Sequence, residues 1–419
     1  MNSTTPLRYE PPEQPVSLPF GIEPVQFVAF FYGAWLFALT LLFYLEPENK
    51  IMLEVVLLSG SGPALLQALF LPADTRGNGP GLWFMWAFLA IFLASYVLNG
   101  CTWEDLVNLF NVMFVFLLGT VIASSRDPSL IRRIVVVYAL IMAPFLLYIN
   151  IFGERVWGRL HAGAQPNVWG LLSLNVALGA FALKRRLLQI AVFAIVLLTM
   201  YNAQTRGSMV ALIPILFIYA YHWYAYEKGV DITWKMLVTY AGIAVVFSIV
   251  AFYSDFILNE VLRLNDPYRG LTSGATGRDE AWGEALRLWY NNPLLGVGFR
   301  KHENMMVITA LSAHNAYLAM LADTGFLGFL TYMAFLVSAA VCTLRGITDN
   351  KLRLFIFAVI ASYAFAGMFE RRAINVGNSY SLTFIFCCLF ALRMAQVRLR
   401  EQVLSSTTPS VTVAQPFRS

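Results

Sequence analysis

FVAFFYGAWLFALTLLFYL, residues Phe27–Leu45, carries no charged side chain along its whole length. It approaches the roughly 20 apolar positions that a helix needs to cross the hydrocarbon of a bilayer. The pattern returns at Phe84–Leu98, Leu187–Met200 and Phe326–Cys342, each run lengthened by its flanking residues. A single buried core has no use for so many. Composition agrees: of 419 residues 58% are hydrophobic and 13% charged, and the mean hydropathy is +0.64. A soluble domain carries about 25% charge. The reading is an all-α polytopic membrane protein.

Twelve spans are expected, at 24–45, 51–72, 80–98, 104–123, 131–150, 166–183, 187–203, 207–222, 234–252, 316–341, 352–369 and 378–397. Backbone groups in lipid have no water to bond, so each span closes its own hydrogen bonds as a helix. The second is interrupted by Ser59-Gly60-Ser61-Gly62-Pro63. Residues 1–23, with Glu10, Pro11, Pro12, Glu13 and Pro15, lack the basic start and short apolar core of a cleavable signal. The first span is therefore expected to direct insertion and to stay. A cytoplasmic tail at 398–419 is expected to be disordered, its stretch Ser405–Ser419 being rich in Ser, Thr and Pro.

An even number of spans puts both termini on one side. With the termini inside, short cytoplasmic connections hold Arg126, Arg132 and Arg133, then Lys184, Arg185 and Arg186, then Arg345, Lys351 and Arg353. Arg393, Arg398 and Arg400 stand at the end of the last span. This is the bias of Lys and Arg toward the cytoplasm. The net charge of +5 thus reports topology and implies no nucleic-acid partner. For a bacterial inner-membrane protein the same orientation leaves 253–315 as a periplasmic loop between spans 24–252 and 316–397, far longer than any other connection. Within it Glu280–Tyr290 reads as an amphipathic helix, with Trp282, Leu286, Trp289 and Tyr290 toward one side. Such a helix lies along the membrane surface or caps a cavity.

Arginines away from the cytoplasm run against the charge bias. Arg206 stands in a tight turn, Asn202-Ala-Gln-Thr-Arg206-Gly-Ser, and Arg278 in Ser273-Gly-Ala-Thr-Gly277-Arg278, before the loop helix. Arg155, Arg159 and His161 lie in the 151–165 connection; Arg300, Lys301 and His302 follow Gly296-Val-Gly298. A guanidinium is always charged and its fork of donors matches phosphate oxygens. Small neighbours let a ligand approach the backbone. The plainer reading is that these side chains reach headgroups or pair with Asp279, Glu280 or Glu284.

His314, in Leu311-Ser-Ala-His314-Asn315-Ala-Tyr317, is expected at the outer entry of the tenth span. Imidazole titrates near neutrality and can take a proton from a hydroxyl, though a histidine there can also simply cap a helix. Asp323, nine residues on, is costly in a span unless paired or facing a cavity. Asp323-Thr-Gly325-Phe-Leu-Gly328 would bring two small residues to one helical face for close packing. Glu370-Arg371-Arg372 reads as a local ion-pair cluster or a second phosphate clamp. His222, beside Trp223 and Tyr224, reads as an interfacial anchor. Cys101, Cys342, Cys387 and Cys388 have no metal-ligand spacing, so neither zinc nor a disulfide is expected. Neither a Gly-rich phosphate loop with its lysine nor an HExxH spacing is present. No cofactor is expected, and an enzyme of this kind would need a substrate already activated.

Gln165-Pro166-Asn167, Gln204-Thr205-Arg206-Gly207-Ser208, Ser273–Arg278 followed by Trp282, Asn292-Pro293-Leu-Leu-Gly296-Val-Gly298, and His314-Asn315-Ala-Tyr317-Leu318 followed by Asp323-Thr-Gly325 occur in that order. In this the chain resembles the membrane family of O-antigen ligases and polymerases. It departs at Gln165, where the family commonly has asparagine in Asn-Pro-Asn. The resemblance implies a GT-C-like glycosyltransferase architecture and metal-independent, inverting transfer in the periplasm. A polysaccharide would pass from undecaprenyl diphosphate to a sugar of lipid A-core. His314, Arg206 and Arg278 would correspond to the family's functional residues, with Arg155, Arg159, His161, Asn167, Asn315 and Tyr317 around the substrates. Polymerisation of O-antigen or exopolysaccharide, and O-glycosylation of protein, share the donor chemistry. A secondary transporter of an anionic lipid or metabolite and a noncatalytic scaffold are the readings from other classes.

Overall fold

A computed structural model describes residues 22–45, 50–71, 73, 79–156, 158–222, 278–306, 313–370, 374 and 377–407. The expected span 234–252, the loop up to residue 277, the strings Trp223-Tyr224 and Arg371-Arg372, and the termini lie outside these residues. The helices are α1 (Pro24–Leu45), α2 (Lys50–Leu58), α3 (Ser61–Phe70), α4 (Gly79–Leu98), α5 (Trp103–Ala123), α6 (Leu130–Phe152), α7 (Pro166–Phe181), α8 (Arg186–Ala203) and α9 (Arg206–His222). After the loop come α10 (Arg278–Asn291), the single turn α11 (His302–Met305), α12 (Ala316–Gly346), α13 (Asn350–Ala366) and α14 (Ser379–Thr407). A two-stranded hairpin, β1 (Arg155–Val156) and β2 (Arg159–Leu160), links α6 to α7. Among the described residues eight helical segments are long and apolar enough to cross a membrane, counting α2 and α3 as one. This is a multi-spanning helical membrane protein.

Two helices are wrapped by the others. From Tyr380 to Leu392 every residue of α14 is buried, including Cys387 and Cys388, and α7 is buried from Val168 to Phe181. A helix apolar on all sides gains nothing from having a preferred face toward water, and so it can sit in the centre. Helices at the edge instead show large apolar side chains outward, such as Trp83 and Trp86 of α4 and Ile190 and Leu197 of α8. Small residues permit close approach. A Cβ on Gly179 of α7 would stand 2.5 Å from the Val135 carbonyl oxygen of α6. Hydroxyls in the interior satisfy one another: Thr40, Tyr138 and Ser379 form a triangle with edges of 3.2, 3.0 and 3.1 Å.

Caps and breaks follow local chemistry. Thr102 and Asp105 form a reciprocal capping box at the start of α5, and Asp349 accepts from the Lys351 and Leu352 amides at the start of α13. The expected interruption at Ser59–Gly60 separates α2 from α3. Two expectations are corrected. The stretch 398–407, read as part of a disordered tail, continues α14 as helix, with Arg398 donating to the Arg345 carbonyl. Asp323–Gly328 is not one continuous helical face, because Gly325 leaves the helix at φ 61°, ψ −163°.

Candidate functional site

Breaking a helix inside a span frees backbone groups that lipid cannot satisfy. Here the segment Pro293–Gly298 satisfies them. Val297 and Gly298 amides donate to the Ala322 and Asp323 carbonyls at 3.0 and 2.8 Å, while Phe326 and Leu327 amides donate to Pro293 and Leu294 at 2.8 and 3.2 Å. Helix α4 holds the segment from the other side. Ser95 Oγ lies 2.5 Å from the Leu295 carbonyl, Asn99 donates to Gly296 at 3.0 Å, and the Phe92 and Phe299 rings stack at 4.0 Å. The two sequence strings that stood far apart, Asn292–Gly298 and Asp323–Gly325, are thus one structural unit.

Arg300, Lys301 and His302 complete that unit. Lys301 pairs with the buried carboxylate of Asp105 at 2.7 Å and donates to the Gly100 carbonyl at 2.7 Å. Arg300 donates to Asn108 at 3.2 Å. Asp323 is 5% exposed, and its Oδ1 accepts from the His302 amide and lies 2.9 Å from His302 Nδ1. The cost of a carboxylate in the span is met by pairing. Asp323 was legible as a buried acid; His302 as its partner was not, since nothing in their 21-residue separation marks it.

At the neighbouring rim α8 ends on Gln204 in the left-handed conformation (φ 52°), and α9 begins at once with Arg206. Thr205 and Ser208 are buried and lie over Gly170 of α7, where a Cβ would meet their hydroxyl oxygens at 2.4 and 2.6 Å. Asn167, one turn before Gly170, accepts from Arg159 Nη2 at 3.4 Å, and Arg159 Nε donates to the Ala203 carbonyl at 3.1 Å. Arg159 and Asn167 therefore stand beside the turn at which α9 opens with Arg206, a helix N-terminus whose dipole favours an anion. Arg155 stands apart, exposed, with its Nη2 3.4 Å from the Asn150 carbonyl. His161 is half-buried, and its carbonyl accepts from Trp169.

His314 is half-buried and takes φ 44°, a conformation that non-glycine residues rarely adopt outside constrained sites. Asn315 caps α12 through Oδ1, accepting from Tyr317 and Leu318 amides at 3.0 and 3.1 Å. Tyr317 donates to the Ala364 carbonyl at 2.7 Å, so its hydroxyl serves the bundle. The end of α13 joins this rim to the first. The Ala316 amide donates to the Gly367 carbonyl at 2.7 Å, and a Cβ on Gly207 would meet Phe369 Cβ at 2.6 Å. Residues adjacent to Arg206 and to His314 thus rest on one short segment, 367–369.

Arg278 opens α10, and α10 packs on α12 through Ala281, Ala285 and Leu288 against Ala313, Leu318 and Ala322. Of the expected stripe, Trp282, Leu286 and Tyr290 are exposed and Trp289 is half-buried, while the inward face holds Ala281, buried Glu284, Ala285 and Leu288. The basic clusters Lys184–Arg186, Arg345, Lys351 and Arg353 stand at the other ends of these helices. Within the described residues no group of His, Cys, Asp and Glu has the makings of a metal site. A family model described as O-antigen ligase matches residues 191–333, so over that stretch the chain is similar to that family. No curated protein matches the chain.

Proposed function

We propose that this chain, similar over residues 191–333 to the O-antigen ligase family, moves a glycan from undecaprenyl diphosphate to a sugar hydroxyl of lipid A-core on the periplasmic face of the inner membrane. His314 accepts the proton of the acceptor hydroxyl. That oxygen attacks the anomeric carbon, the bond from this carbon to the phosphate oxygen breaks, and undecaprenyl diphosphate leaves with the electron pair. Displacement from the opposite face inverts the anomeric centre. Arg206, on the positive end of α9, and Arg278 offset the charge that develops on the departing diphosphate; such donors act most strongly when already fixed in a partly dry site. Arg159 and Asn167 line the donor side, Arg155 and His161 the margin, and Asn315 and Tyr317 hold the backbone around His314. A GT-C-like architecture with twelve spans and both termini cytoplasmic accompanies this reading, and membrane lipids flank the site. No cofactor takes part.

The observation that carries the reading is the common support of the two rims: Gly207, beside Arg206, touches Phe369, and Ala316, two residues after His314, is bonded to Gly367. A base and a diphosphate clamp have to meet across one donor, and a shared segment gives them a fixed relation. The break at Gly325 is the feature that would favour a transporter, whose sites use discontinuous helices. Its freed amides and carbonyls, however, are taken up by residues 293–298, which leaves them no role toward a passing substrate.

The test is reconstitution in proteoliposomes with undecaprenyl-diphosphate glycan, offering lipid A-core, a second lipid-linked glycan and a protein acceptor in parallel. Transfer to lipid A-core is the expected result. Product on the second glycan alone makes the protein a polymerase, product on protein an oligosaccharyltransferase, and movement of donor without a new bond a transporter. His314→Ala is expected to bind donor and lose transfer; turnover at the wild-type rate removes the base. Arg206→Ala and Arg278→Ala are expected to raise the donor concentration needed for half-maximal rate, and unchanged saturation in both removes the clamp.

A further inference from the structure

The loop helix is seated on α12 by apolar contacts, with Ala281, Ala285 and Leu288 on its inner face. Ala281 and Ala285 are buried against Ala313 and Ala322, and methyl groups exclude water without fixing a register. A directional contact across this seam comes from Trp282. Its Nε1–H donates to the Ala313 carbonyl at 2.8 Å, although 38% of the residue is exposed. That carbonyl belongs to the peptide that enters His314, the residue with φ 44°. Two residues on, the Ala316 amide is bonded to the Gly367 carbonyl. The backbone on both sides of His314 is therefore anchored to separate elements: to α10 through an indole, and to the end of α13 through the main chain. Arg278 lies one turn before Trp282 on the same helix.

We infer that Trp282 is a positioning residue: by holding the Ala313 carbonyl it keeps His314 in its left-handed conformation, and it ties His314 to the helix that carries Arg278. Without that bond the peptide is released to relax toward the ordinary regions of backbone space, and the ring turns away from its working direction. A hydrogen bond to a carbonyl next to a constrained residue is the kind of support that keeps a site within a fraction of an ångström of productive geometry. The mechanical link also makes the seating of α10, and with it Arg278, a condition for a correctly aimed imidazole. The catalytic meaning of this link rests on the proposed glycosyl transfer; the link itself does not.

Trp282→Phe keeps an aromatic ring and removes the N–H donor. Trp289→Phe is the matched control, since its indole bonds the Pro293 carbonyl at 3.2 Å, away from His314. In the proteoliposome assay W282F is expected to lower kcat by about 10- to 100-fold, as a small misplacement of a reacting group does. The donor KM should stay within about twofold, and W289F should match the wild type. A second readout needs no turnover: carbethoxylation of imidazole by diethyl pyrocarbonate, followed residue by residue by mass spectrometry. His314 is expected to react several-fold faster in W282F than in wild type, with His161 unchanged. Equal reactivity of His314 in both proteins overturns the inference, and so does a wild-type kcat in W282F. A wild type that transfers to no acceptor, with His314 still exposed by W282F, overturns the proposed activity and leaves the positioning role standing.

Discussion

Gly325→Ala tests whether the break in α12 and the segment lying across it form one unit. Gly325 has φ 61° and ψ −163°, a region open essentially to glycine, where another residue costs about 1–3 kcal/mol. An alanine Cβ would also stand 2.3 Å from the Leu294 carbonyl carbon, 2.4 Å from its oxygen and 2.5 Å from the Leu295 nitrogen. These are main-chain atoms and cannot rotate aside. Relief requires residues 293–295 to withdraw, which gives up the Phe326 to Pro293 and Leu327 to Leu294 bonds of 2.8 and 3.2 Å. A buried peptide group left unsatisfied costs about 1–3 kcal/mol. Strain plus one or two such losses comes to about 2–9 kcal/mol, with transfer activity falling alongside. Unfolding in mixed micelles with rising dodecyl sulfate, followed by circular dichroism, measures it. Gly283→Ala is the comparison: a Cβ there meets nothing within 4 Å, and alanine within a helix should add up to about 1 kcal/mol. If G325A unfolds within about 0.5 kcal/mol of the wild type, a margin usual for changes that touch nothing important, the strand-across-a-break account is wrong.

The Asp105–Lys301 pair, 6% and 17% exposed at its side chains, should show a coupling energy of about 2 kcal/mol in a double-mutant cycle with alanine. It lies above the range of surface pairs because the carboxylate is buried. A coupling below about 0.5 kcal/mol would make the contact incidental. Gly170→Ala sets a methyl group 2.4 Å from Thr205 Oγ1 and 2.6 Å from Ser208 Oγ, pushing the first turn of α9 away from α7. It should raise the donor KM about tenfold, on the order of 1.4 kcal/mol of binding, while the acceptor KM holds. A donor KM equal to wild type would detach Gly170 from the arginine rim.

The parts of this molecule that were legible from residue order are those governed by the solvent around a short segment. Apolar runs report helices because lipid offers the backbone no partner; the Ser59–Pro63 interruption and the loop helix were visible for equally local reasons. Arg206, Arg278 and His314 drew attention as polar groups at the boundaries of apolar segments. Which face of α10 turns inward was not legible, because alanines bury there while the large side chains of Trp282, Leu286 and Tyr290 remain outward. In a membrane protein size and hydrophobicity no longer tell core from surface. The end of α14 was missed because a polar composition does not by itself stop a helix: 398–407 continue it although 399–404 are exposed, with Arg398 donating to the Arg345 carbonyl.

Sequence alone determined a polytopic helical membrane protein, since hydropathy acts on each segment separately. Tertiary structure decided that Asp323 is paired with His302, that Pro293–Gly298 repairs the break at Gly325, and that neighbours of Arg206 and His314 share residues 367–369. Those contacts join positions distant in the chain, where close packing and the need to satisfy every buried polar group select partners that no local pattern encodes.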